Sequence, residues 1–162
     1  MAIVRRLRDD RLFLDNNTIS GKFSLKVPYS LIFNRFQAND ISRLESHFPL
    51  LVPPILALID DETNPHKADG CTHLTHLLHP IQQAKSDILK RTNLSSVFID
   101  AIKPCLLSLP TITPEPDSIR LLGTAYPTLF LLLKTSYLPK DKQTYTAELT
   151  KVLRENLISS FH

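Results

Sequence analysis

The stretch TPEPDSIRLLGTAYPTLFLLL, residues 113–133, decides the fold class. Thr113 is followed by Pro114, Glu115 and Pro116, and both rings fit the first turn of a helix, where no intrahelical donor is required. A long helix is predicted to start there. It continues with apolar residues at helical spacing through Ile119, Leu122, Tyr126, Leu129 and Leu133. Pro127 falls four residues after Gly123, the residue type that best relieves the clash between a proline ring and that carbonyl. A kink at Gly123 to Pro127 is therefore expected.

Working upstream, proline punctuates the chain in the same way. Pro110 should stop a helix running from Leu94 to Leu109, with Thr92 and Asn93 offering its cap. A short amphipathic piece carries Ile88 and Leu89, and Pro80 should close a helix from about Pro65 to His79 that Asn64 caps. Asp60, Asp61, Glu62 and Thr63 form the polar turn before it. The run Pro49 to Ile59 contains Pro49, Pro53 and Pro54, so a helix here either starts afresh at the proline pair, which fits a first turn, or is kinked by it. Earlier apolar stripes are Ile41, Leu44 and Phe48, and before them Leu31, Ile32 and Phe36. Downstream, roughly Lys140 to Ser159 sets Leu149, Val152, Leu153 and Leu157 on one face of a last amphipathic helix. Residues 1–27 show charge pairs and a polar turn without sustained period and read as a loosely ordered lead-in to a helical domain at 28–162.

Composition agrees with helices. The chain has 162 residues, 43% of them hydrophobic, which suffices for one core. Three Gly and 28 Leu disfavour a strand-rich fold, which leans on glycine-bearing turns and β-branched runs. A net charge of +3 is too small and dispersed to mark a nucleic-acid or membrane binder. The most apolar stretches, Phe48 to Ile59 and Ala125 to Leu133, fall short of the ~20 residues a bilayer span needs. No secretory signal stands at the N-terminus, and two cysteines make no disulfide framework, so an intracellular setting is expected and the sequons at Asn16 and Asn93 read as accidental. The helices read as antiparallel pairs spaced by about 40 residues, near the period of HEAT or armadillo units. The expected architecture is an all-α solenoid of about three such pairs.

Ligand chemistry concentrates in His66, Cys71, His73, His76 and His79. At 100° per residue, Cys71 points with Leu74 and Leu78 into an apolar stripe, whereas His73 and His76 project away beside Asp69. The thiol cannot join those imidazoles, which leaves Asp69, His73 and His76 as the one metal-site alternative to a solvated histidine face. Cys71 and Cys105 read as small buried hydrophobes. No phosphate loop, dinucleotide glycine fingerprint or nucleophile elbow is present, so neither an enzyme nor a cofactor is expected. Asp60 and Asp61 read as helix-end residues, with Lys67 as their natural ionic partner.

Several short motifs occur in a telling order: Leu50 to Asp61 with Pro53 and Pro54, then Lys67 with Gly70 and Cys71, then Leu89, Thr92, Asn93 and Leu94 with Phe98, then Pro104, Cys105 and Pro110, and finally Pro127. Together they resemble the core of the Tel-two-interacting protein two family, the smallest subunit of the TTT co-chaperone complex. Asn93 stands where the family pattern has glycine, and Asn also tolerates the left-handed conformation that turn requires. Family members are considerably longer, so the chain resembles a shortened form or fragment. The resemblance implies a non-enzymatic scaffold whose partners are the other two TTT subunits, both large helical-repeat proteins. Through them it would serve the heat-shock chaperone machinery and the phosphatidylinositol-3-kinase-related kinases, TOR and the DNA-damage checkpoint kinases included, in cytoplasm and nucleus. The alternative is an unrelated HEAT-type adaptor.

Overall fold

The computed structural model describes residues 40–137 and 141–155, all within one compact unit, Phe36–His162. Every regular element among them is helical: α1 at Ile41–Ile59, α2 at Asn64–Gln83, α3 at Ile88–Arg91, α4 at Leu94–Ile102, α5 at Glu115–Tyr137 and α6 at Lys142–Leu153. A 3-10 segment at Lys103–Leu107 follows α4. The all-α expectation is met. The lead-in at 1–27, the stripe of Leu31, Ile32 and Phe36, and Leu157 lie outside the described residues.

α1 departs from the expectation of a fresh start at the proline pair, because it passes through Pro49, Pro53 and Pro54 as one helix. Each ring removes the donor for the carbonyl four residues back, here those of Glu45, Pro49 and Leu50. Pro49, Leu50 and Pro53 are exposed, so water reaches the freed carbonyls. The opposite face buries Leu44, Phe48, Leu51, Val52, Ile55, Leu58 and Ile59. At about 2 kcal/mol for each such side chain, that face outweighs rings that cost about 3 kcal/mol each.

α2 starts one residue earlier than predicted, with Thr63 in extended conformation as the cap residue and Pro65 in the first turn. Nor does Pro80 end it. Pro80 and Ile81 are both buried, and the Ala84 amide donates to the Pro80 carbonyl at 2.9 Å, so the core holds one further turn in place. α4, by contrast, is shorter than the predicted Leu94 to Leu109. Pro104 cannot donate to the Asp100 carbonyl, and the chain tightens into the 3-10 segment instead of running on to Pro110, which sits exposed in the following loop. Asn93 adopts the left-handed conformation, φ 54°, as its place in the motif requires.

α5 runs through Pro127 without interruption, with Gly123 and Pro127 both on its solvent side. Its buried residues are Ser118, Leu121, Ala125, Thr128, Leu129, Leu132 and Leu133. Only the far end of the predicted stripe therefore reaches the core; Leu122 and Tyr126 are half-buried and Ile119 is 62% exposed. α6 is capped by Asp141, whose carboxylate accepts from the Thr144 amide at 2.9 Å, and buries Val152.

α2 is the central element, flanked by α1 and α5. α1 and α2 are antiparallel: Ile59 opposes Gly70 at one end, and the Ser86 hydroxyl donates to Glu45 at the other. α2 and α5 run parallel, since Asp69 meets Arg120, Thr75 meets Thr128, and Gln82 lines one cleft with Thr135. Leu74, Leu77 and Leu78 of α2 are wholly buried between these neighbours.

Candidate functional site

Six of the motif residues, Asp60, Asp61, Lys67, Gly70, Cys71 and Cys105, come together around the C-terminal end of α1. A Cβ built on Gly70 would lie 2.7 Å from the Ile59 nitrogen and 2.9 Å from the Leu58 Cβ, so α2 crosses α1 at a distance only glycine permits. That approach seats Cys71, 0% exposed, beside Cys105 from the 3-10 segment, 1% exposed, whose thiol points at the Ile59 carbonyl 3.9 Å away. The sequence had shown two separate buried hydrophobes. Both stand among the motif residues, but nothing in their spacing brings them together.

Within the pair, the Cys71 thiol donates to Cys105, which together with burial pushes Cys71 far up. The same hydrogen bond brings Cys105 down, helped by the Lys67 ammonium and opposed by burial and by Asp60. Lys67 forms no ion pair with Asp60 or Asp61 among the described residues, contrary to expectation. Asp61 organises the turn instead. Its Oδ1 accepts from the Thr63 amide and hydroxyl, both at 2.8 Å, and stands 3.2 Å from His66 Nδ1. These contacts, the Thr63 amide first, hold its carboxyl below the usual carboxylate range.

The other motif residues are distributed as packing and turn elements. Leu89 and Phe98 are buried, Leu94 is half-buried, and the Thr92 hydroxyl donates to the Ile88 carbonyl at 2.7 Å, closing α3. Pro53, Asp60, Pro104, Pro110 and Pro127 are exposed, and Pro54 is half-buried.

His73 and His76 are half-buried, which corrects the reading of a solvated face. Their rings lie 6.5 Å apart, edge to face. Burial, then His76, holds His73 below the usual imidazole value against the pull of Asp69. Asp69 itself is engaged by Arg120, 2.7 Å away on α5, and among the described residues no three His, Cys, Asp or Glu side chains are placed to hold a metal ion. A buried joint on the neighbouring face of α2 went unforeseen: the Thr128 hydroxyl lies 2.7 Å from that of Thr75 and 3.0 Å from the Cys71 carbonyl. A threonine inside the apolar run Tyr126 to Leu133 was its trace in the sequence.

A chain whose described elements are all helical, and whose motifs build joints between helices, has the character of a scaffold-type helical protein. The chain belongs to the Tti2 family, whose family model matches residues 29–162. No curated protein and no solved structure matches it significantly. No helix among the described residues is long and apolar enough to cross a membrane.

Proposed function

We propose that the chain is a non-enzymatic scaffold subunit of the TTT co-chaperone complex, supporting maturation and stability of phosphatidylinositol-3-kinase-related kinases in cytoplasm and nucleus. Membership of the Tti2 family across residues 29–162 carries this reading. Its partners are the other two TTT subunits, and its helices stack in the HEAT manner, as antiparallel pairs of which about three are present. The antiparallel α1 and α2, and the parallel run of α2 beside α5, support that stacking, because equivalent helices of successive repeats run in the same direction. The joint at Gly70 then closes the first pair, and Cys71 with Cys105 holds that pair on the next.

Co-purification of the tagged chain from cells, with bound proteins identified against an untagged control, tests the reading. Recovery of the other two TTT subunits is expected. A different set of stably bound partners, with neither TTT subunit among them, would replace it with an unrelated adaptor.

A further inference from the structure

We infer that the outer face of α5 is the contact through which two copies of this chain associate, antiparallel, about a twofold axis. The face is unusual for the solvent side of a helix. Along it run Ile119, Leu122, Gly123, Tyr126, Pro127 and Phe130, within about 140° of arc at 100° per residue. Ile119 is 62% and Phe130 37% exposed, Leu122 and Tyr126 are half-buried, and the Tyr126 and Phe130 rings lie 6.2 Å apart. A second apolar face, through Leu121, Ala125, Leu129 and Leu132, is already used against the core. Most solvent faces of helices are polar, and a contiguous apolar stripe with charges at its margins marks a contact surface.

Charge selects the occupant. On the same arc the stripe begins at Glu115 and ends at Lys134, both exposed. They stand at equal distances from its centre between Gly123 and Tyr126, about 14 Å each way at 1.5 Å per residue. A second α5 laid parallel would set Glu115 on Glu115 and Lys134 on Lys134. Laid antiparallel, each Glu115 meets the other copy's Lys134, and each Gly123 faces the other copy's Tyr126, in space where a Cβ would have had no neighbour within 4 Å. The face is thus complementary to itself, as a twofold contact requires. Ion pairs at the ends need nearly aligned axes, so the crossing belongs to the shallow class of about 20°. One helix seam is smaller than the ~1,200 Å² of a standard interface, so a weak, reversible association is expected.

Sedimentation equilibrium of the full chain from about 1 to about 200 µM tests this. The expected mass rises from monomer to twice the monomer. Phe130→Glu, at an exposed position, should remain monomeric throughout with an unchanged circular dichroism spectrum. Glu115→Lys and Lys134→Glu should each weaken association by about threefold to tenfold, and the double variant should recover it. A parent chain that stays monomeric would overturn the proposal and leave the face to a different partner. Dimers that survive Phe130→Glu, or a double variant weaker than either single one, would also overturn it.

Discussion

Gly70 and Ile59 stand so close that a side chain on the first would displace the backbone of the second: the position a Cβ would take lies 2.7 Å from the Ile59 nitrogen. Replacing a helical glycine by alanine ordinarily stabilises by about 0.5–1 kcal/mol. At Gly70 the contact is with backbone and reverses the sign, and Gly70→Ala should destabilise by about 1–3 kcal/mol. Gly123→Ala, with nothing near its Cβ, should show the ordinary gain. Urea unfolding of both variants at low protein concentration measures the contrast, and equal shifts would contradict the close crossing of α1 and α2.

Cys71 has 0% exposure and lies beside the Cys105 thiol. Cys71→Asp would place a carboxylate in that fully buried setting, and a loss of about 3–5 kcal/mol is expected. Thermal unfolding reads it. A near-neutral result would mean that α2 presents a different face to the core.

Thr128 joins two helices through its hydroxyl, and valine matches its shape without the hydrogen bonds. Thr128→Val should cost about 1–2 kcal/mol, because the Thr75 hydroxyl loses its partner in a part-buried setting. Thr75→Val should cost less in the Thr128→Val background than in the parent. A double-mutant cycle by urea unfolding checks that coupling, and strict additivity would dissolve the joint.

His73 predicts a pH dependence with a definite sign. Its folded-state pKa lies below the ordinary 6.5, so between those two values the unfolded chain binds the extra proton. Stability is then full above the ordinary value and falls as pH drops through 6.5 toward the folded value. The carboxyls of Asp61 and Asp141, also held low, lose their contributions only below their ordinary 3.8 and do not enter that window. Denaturation midpoints between pH 7.5 and pH 5 should decline for the parent and decline less for His73→Gln.

Much of this was legible beforehand wherever local chemistry decided the outcome. The Thr113 to Pro116 signature placed the start of α5, and the Asn93 turn followed from what asparagine tolerates. Proline misled where burial opposed it. Pro80 lies in the core and Pro49 and Pro53 face water, so neither situation breaks a helix as an isolated ring would. The joint at Gly70, Cys71 and Cys105 was visible as a set of motif residues but not as a place, since the 3-10 segment that delivers Cys105 arises from Pro104 cutting α4 short. On α5, periodicity could not say which of two apolar faces the core would take.

The prolines inside α1, α2 and α5 carry a mechanical corollary. A helix is stiff because its carbonyls are tied on every side, and one untied along a single edge bends most easily about that edge. α1 is untied along the edge of Pro49 and Pro53, which faces away from the core. Under load it should flex like a hinged slat while its packed side stays registered with α2, giving an assembly built on it elastic give without unfolding.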